Sequence, residues 1–301
     1  MKKILILVSR YGINLKLADF LKEDLKSKSR VFYHTFSDVS VAIHGGRVDV
    51  SVAGTSLLDF DLVYFRKVGK KYLPLAGAIA LCLERESIPY IDSVFGNIGP
   101  IGNKLYSLTR LCISGLPVIP TLYYPMDSVK KNIKKIERQL GYPFIAKDVS
   151  LQGLKGVYSI KNRSEMDKLL SKDSTNYIFQ KFVNIKKEYR LLVLGGEVKV
   201  VHTKVPRTYE NFKVDYLSRN SKEKFLNVKN LSGELTEIAV KSARALELEI
   251  AGVDLAVLTD NKPVLIEANR GPAFSSDLTV SPEYREVSRF LSLMFLSKNM
   301  E

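Results

Sequence analysis

A chain of 301 residues, 46% hydrophobic and 26% charged, has ordinary globular composition and is long enough for two or three domains. That composition excludes a disordered or low-complexity protein, and no run approaches the roughly 20 apolar residues needed to span a bilayer. A net charge of +14 points to an acidic partner: nucleic acid, an acidic peptide and a nucleotide are all compatible.

The chain opens on a short apolar run, residues 4–8, after Met1-Lys2-Lys3. It is too short for a signal peptide and ends at Ser9-Arg10 without a cleavage site, so a buried strand over 3–8 is expected. A helix over 14–25 follows, with Leu17, Leu21 and Leu25 on one face. Strands are expected over 30–35 and, after a loop, over 61–66. A helix over 74–86 and a short strand over 89–92 complete a βαβ unit with a largely parallel sheet. Ser9-Arg10-Tyr11-Gly12 is not G-x-G-x-x-G, which argues against a dinucleotide site. Glycines and a proline over 96–102 mark a boundary.

Beyond it the pattern predicts a helix over 104–114, ended by Gly115 and Pro117. The next helix, 128–140, has Ser128 at its start, Gly141 just past its end and Pro143 beyond. Its Lys130, Lys131, Lys134 and Lys135 alternate with Val129, Ile133, Ile136 and Leu140, so the lysines read as the wet face of an amphipathic helix. Strands over 144–147 and 157–160, a short helix from Ser164 and a strand over 177–182 follow. Gly195-Gly196 turns a hairpin of 189–194 and 197–203. The polar stretch 204–230 shows little periodicity. A helix over 233–246, a strand over 252–258, a turn at Asp260-Asn261 and a strand over 263–267 come next. A final helix begins at Ser281-Pro282 and buries Val287, Phe290, Leu291 and Met294.

Residues able to do chemistry are few. His34, His44 and His202 form no zinc-ligand pattern, and there is no G-x-S-x-G elbow. Cys82 and Cys112 sit in apolar helical patterns and read as buried free thiols of a cytoplasmic protein. Phosphate and metal chemistry remain. Pro-Phe-Ile-Ala-Lys, 143–147, ends an apolar strand on Lys147, and a small-residue loop, 150–156, leads into the next strand. A buried ammonium needs a counter-charge, which a phosphate would supply, and the loop's N–H groups could cover it with glycine allowing close approach. An exposed lysine beside an ordinary hairpin turn is the plain alternative.

Asp254 lies early in one strand, and Glu267 and Asn269 end the next. Glu267 and Asn269 share a face by the two-residue period, and pairing of the two strands could bring Asp254 to it. Two carboxylates and an amide oxygen suit magnesium, whereas unpaired buried carboxylates repel each other. A solvated sheet face is the alternative here. Between these segments, Gln180-Lys181-Phe182-Val183 and Glu188-Tyr189-Arg190 could offer backbone groups to a flat base and a carboxylate to ribose hydroxyls. A plain connecting strand would look the same.

This set, in this order, resembles the ATP-grasp superfamily and, within it, the RimK-like carboxylate–amine ligases. The likeness runs from about Gly96 to the C-terminal helix, and Asp254…Glu267-x-Asn269 is its most specific part. The resemblance implies an α/β and α+β protein with the ATP-grasp fold. It places an N-terminal βαβ pre-grasp domain at 1–96, a central lid domain at 97–182 and a C-terminal antiparallel-sheet domain with the metal site at 183–301. By the same resemblance, Lys104 and Lys147 contact ATP phosphates, and Gln152, Gly153 and Gly156 belong to the lid loop. Gln180, Lys181, Phe182 and Val183 border adenine, with Phe182 and Val183 acting through their backbone, and Glu188 holds the ribose. Arg190, Lys147 and Arg270 form the implied catalytic set. Asp254, Glu267 and Asn269 hold one or two Mg²⁺ ions, with Mn²⁺ as the alternative cation. Lys204, Arg207 and Lys213 lie in the segment used for substrate contacts. The chain departs from the family at Lys181, where many members have Glu. It departs again in the lid loop Ser-Leu-Gln-Gly-Leu-Lys-Gly, and at Lys204 and Lys213, where arginines are common.

The implied reaction activates a carboxylate as an acyl phosphate and transfers it to an amine, giving an amide or peptide bond. An acidic small-molecule, peptide or protein substrate fits the net charge, with no membrane partner, nucleic acid disfavoured and an oligomer left open. Two further readings are carried: a maturase forming ester or amide crosslinks in a ribosomal peptide, and a non-catalytic ATP-binding regulatory module.

Overall fold

The computed structural model describes residues 1–12, 15–27, 29–66, 68–91, 95–96, 103–151, 156–172, 175–204, 224–269, 272, 274, 282–287 and 289–290. The chain divides into two compact units, Met1–Ile113 with Pro120–Phe182, and Ser114–Ile119 with Val183–Glu301. Residues 1–96 and most of 97–182 thus fall in one unit, and a change of unit falls between Phe182 and Val183.

The first unit begins with β1 (Lys2–Val8), α1 (Leu15–Asp24) and β2 (Ser29–Thr35). β1 pairs in parallel with β2 and with β6 (Leu62–Arg66), and β6 with β7 (Tyr90–Ile91), in the sheet order β2-β1-β6-β7. The βαβ reading therefore holds. Leu5, Leu7 and Val8 are wholly buried, as a strand covered on both faces requires. α2 (Leu73–Arg85) closes this part, and α3 (Lys104–Ile113) packs against it.

The segment between β2 and β6, expected as a loop, instead forms β3 (Val39–His44), β4 (Arg47–Val52) and β5 (Thr55–Ser56). Val39, Val41 and Ile43 alternate with Ser40, Ala42 and His44, and Gly45-Gly46, both at positive φ, make the turn. These strands extend a second sheet, β10-β9-β11-β8-β3-β4-β5, through antiparallel pairing of β3 with β8 (Thr121–Tyr123). β9 (Phe144–Asp148), β10 (Val157–Ile160) and β11 (Tyr177–Lys181) form its other end.

Helices α4 (Met126–Leu140) and α5 (Arg163–Lys172) cover this second sheet. Val129, Ile133, Ile136 and Leu140 enter the core with Phe144, Phe179, Met166 and Leu170, while Lys130, Lys131, Lys134 and Lys135 are exposed as expected. The start of α4 differs from expectation. The helix begins at Met126, and Ser128 lies inside its first turn, donating from Oγ to the Pro125 carbonyl at 2.9 Å.

The second unit is one antiparallel sheet, β14-β13-β12-β15-β16, built from β12 (Ile185–Leu194), β13 (Glu197–Lys204), β14 (Lys224–Leu226), β15 (Ile250–Leu258) and β16 (Pro263–Asn269). The Gly195-Gly196 hairpin forms as expected, both glycines at positive φ. α6 (Gly233–Ala245) packs across four of these strands and is capped by Ser232, whose Oγ accepts from the Leu235 N–H. The helical residues 283–287 and 289–290 bring Val287 and Phe290 onto Leu192, Leu194 and Val200, with Phe274 alongside. Leu291 and Met294 lie outside the described residues.

Candidate active site

In the first unit Lys104, Lys147 and Gly156, the residues expected to face phosphate, lie around the loop that follows β9. Lys147 is buried, which removes the exposed-lysine alternative; the strand runs one residue further, to Asp148. Lys104 opens α3. Its backbone N–H donates to the Val149 carbonyl at 3.0 Å and its Nζ to the Leu151 carbonyl, so the helix start is stitched to the loop. Asp148, which the sequence reading passed over, shapes the same loop: its Oδ1 accepts from the Ser150 and Leu151 N–H groups at 2.7 and 3.2 Å. A short Asp side chain capping the amides two and three residues on is a local turn signal that could have been read.

Gly156 is required by this packing. Its φ is +72°, and an added Cβ would lie 2.7 Å from Asp148 Cβ and 2.9 Å from Leu151 Cδ1. Gln152 and Gly153 lie outside the described residues. At the end of β11, Gln180 is buried and donates from Nε2 to Thr121 Oγ1 at 3.1 Å, while Lys181 is exposed and Phe182 half-buried.

The second unit holds the acidic set. Arg190 on β12 lies directly opposite Asp254 on β15, which lies opposite Glu267 on β16. On the other side Arg190 faces His202 on β13, which faces Phe225 on β14. One cross-strand row thus reads Phe225, His202, Arg190, Asp254, Glu267. Register makes this row, and the β15–β16 bulge is essential to it. Leu255 pairs with Leu265, so strict alternation would set Ile266 opposite Asp254 and turn Glu267 to the other face. A register shift between Asp254 and Leu255 seats Ile266 as the extra residue and brings Glu267 opposite Asp254. Asn269 then pairs with Gly252, and its Nδ2 donates to Glu267 Oε1 at 2.8 Å. Gly252 leaves room for Pro272, since a Cβ there would come within 2.4 Å of the proline Cβ.

Asp254 is wholly buried, and both its oxygens accept from Arg190, from Nε at 2.7 Å and from Nη2 at 2.6 Å. This bidentate fork is the strong, directional form of the arginine–carboxylate pair. Burial works against the Arg190 charge, but the Asp254 carboxylate, helped by Glu267 and Glu283, outweighs it and raises the guanidinium pKa. Glu188, two residues before Arg190 on the same strand face, is fully buried and enclosed by protein. Among the described residues no three His, Cys, Asp or Glu side chains are grouped to hold a metal. The cation ligands available are therefore mixed: Asp254 and Glu267 carboxylates with the Asn269 amide. They suit a hard cation by type, because carboxylate and amide oxygens are the ligands such a cation takes. The side chain of Lys204, together with Arg207, Lys213 and Arg270, lies outside the described residues. Glu283 was passed over in the sequence, and His202 was weighed there only as a zinc ligand. His202 carried no signal, whereas Glu283 shares helical spacing with Val287 and Phe290.

Residues 102–280, more than half of the chain, match the RimK-like ATP-grasp domain. This chain belongs to the RimK-like ATP-grasp family. The match takes in α3, the β9 loop and the whole Arg190–Asp254–Glu267–Asn269 set. A curated relative, the coenzyme gamma-F420-2:alpha-L-glutamate ligase of Methanocaldococcus jannaschii, is 34% identical over 149 residues. That stretch is 46% of this chain and 48% of the relative, so the chain spans about half the length of the curated relative it matches. Among solved structures, the ATP-grasp ligase PsnB complexed with minimal precursor has a TM-score of 0.44 at 17% identity, covering 91% of this chain and 92% of that one. N5-carboxyaminoimidazole synthetase from Staphylococcus aureus has a TM-score of 0.46 at 17% identity, covering 92% and 72%. No described helix of this RimK-like protein is long and apolar enough to cross a membrane.

Proposed function

We propose that this protein is an ATP- and magnesium-dependent ligase that activates a carboxylate as an acyl phosphate and couples it to an amine. The observation that carries the reading is the single row Arg190–Asp254–Glu267, with Asn269 beside it, inside a RimK-like ATP-grasp domain. In this reading a substrate carboxylate oxygen attacks the γ-phosphorus of ATP and ADP leaves. The amine then attacks the acyl carbon, phosphate leaves, and the amine gives up a proton. The first step brings two anions together, so the protein's main task is to spread positive charge over the transferring group. Lys104, Lys147 and Arg190 are the cationic residues assigned to that task. Asp254, Glu267 and Asn269 would hold Mg²⁺, which neutralises phosphate oxygens when bound. The second step needs little base catalysis, because a neutral amine is already a competent nucleophile.

The test is an ADP-release screen over amino acids and acidic peptides, with mass spectrometry of the products. Wild type should release ADP only when carboxylate and amine are both present, with product mass equal to their sum less water. Glu267→Gln should lower turnover by about 100-fold or more, in line with loss of a transition-state charge contact. Glu267 is a cleaner probe than Asp254, whose removal would also strand the half-buried Arg190. A Glu267→Gln enzyme turning over normally with magnesium would sink the assignment.

A further inference from the structure

We infer that Glu283, delivered by the last described helix, is a positioning residue that holds the Arg190 guanidinium from the helix side while Asp254 holds it from within the sheet. The inference rests on the ligase reading above. Glu283 is only 2% exposed, in a helix whose neighbouring Tyr284 and Arg285 are exposed. Residues 283, 287 and 290 recur at helical spacing and so share one face. Two of them, Val287 and Phe290, pack on Leu192, Leu194 and Val200. The direction of the helix follows from its far end, where the Phe290 ring sits against Gly195 so closely that a Cβ there would meet it at 2.7 Å. Going back along β12 from Gly195, the same strand face carries Leu194, Leu192 and Arg190. Going back along the helix from Phe290, the same helix face carries Val287 and Glu283. The carboxylate is thereby set at the Arg190 end, where its charge acts on the guanidinium.

A second carboxylate has a physical use. Asp254 uses both oxygens on the Nε and Nη2 edge of Arg190. If Asp254 also serves a cation, those oxygens must be shared, and an arginine held by Asp254 alone would loosen as the cation binds. Glu283 on the helix side keeps the guanidinium in place.

The experiment is a double-variant cycle in the full chain, using Arg190→Met and Glu283→Gln, each alone and combined. In urea denaturation the double variant should lose less stability than the two single losses added together. In ADP release Glu283→Gln should lower kcat about tenfold, with the KM for ATP changed less than twofold. Glu283→Asp, which keeps the charge, should fall between Glu283→Gln and wild type, and it carries the comparison if the glutamine variant does not fold. Mn²⁺ affinity, read by electron paramagnetic resonance, should stay within twofold of wild type in Glu283→Gln. Additive stability losses in an active enzyme overturn the Glu283 assignment alone, as does a lower melting temperature with unchanged kcat. Wild type releasing no ADP with any acceptor, while the denaturation cycle still couples, overturns the ligase reading and the part Glu283 plays in turnover with it.

Discussion

Arg190 and Asp254 illustrate how one residue pair constrains both stability and chemistry. Asp254 is wholly buried and Arg190 partly so, with 17% of its side chain exposed, which makes each the main counter-charge of the other. Removing one partner of such a pair typically costs about 3–5 kcal/mol, because the other charge is left buried and uncompensated. Inactivity of an Asp254→Ala protein would therefore mix folding with catalysis. Gly156 is a second residue whose identity follows from geometry. Gly156→Ala should destabilise the protein by about 1–3 kcal/mol, since the new methyl meets Asp148 Cβ while the backbone stays at a φ of +72°. A urea midpoint equal to wild type would show that the loop base relaxes freely.

At the scale of elements, the first turn of α4 shows polar groups tying three segments together. Asp127 Oδ2 accepts from Lys71 Nζ at 2.7 Å, Tyr72 OH at 2.8 Å and Ser37 Oγ at 3.1 Å. It also faces the helix N-terminus, where negative charge is favoured. The Lys71 hydrogen bond is the largest of the influences that hold the Asp127 carboxyl below its ordinary value of 3.8; burial opposes it and the Tyr72 bond assists. A depressed carboxyl pKa contributes stability that is fully present above the unfolded value and is lost as pH falls through the folded one. Asp127→Asn should therefore be less stable than wild type by a constant margin from pH 7 down to about 5. The margin should shrink as pH falls below about 4. Parallel stability curves for the two proteins down to pH 2 would dissociate Asp127 from acid unfolding.

For the molecule as a whole, the excess of 46 lysines and arginines over 32 acidic residues sets a long-range field that favours anions. We expect an acidic acceptor to react faster than a neutral one of equal length. The advantage should shrink as added salt shortens the screening length towards about 8 Å at physiological ionic strength. Part of the charge is the exposed lysine face of α4, so the effect belongs to association and should appear mainly in the acceptor KM. Equal rates for acidic and neutral acceptors at low salt would leave the ligase reading to stand on the proposed ATP and metal residues.

The elements that could be read in the sequence were those with strong local signals. The 3.6-residue spacing of Val129, Ile133, Ile136 and Leu140 predicts α4, and Gly195-Gly196 predicts its hairpin, because these signals act over a few residues. The acidic set was legible too, since carboxylates in apolar strands are costly without a partner. What tertiary structure alone decided involves pairing between distant segments. The Val39–His44 strand was alternating enough to be seen, but its membership in the second sheet depends on β8, some 80 residues later. Asp254 read as a free ligand because nothing local reveals that Arg190, 64 residues earlier, lies opposite and takes both its oxygens. The face of Glu267 turned on one extra residue, Ile266, which strict alternation cannot anticipate. Local periodicity thus determined which elements form, while long-range register determined which charges meet, because only paired backbones bring side chains within hydrogen-bonding reach.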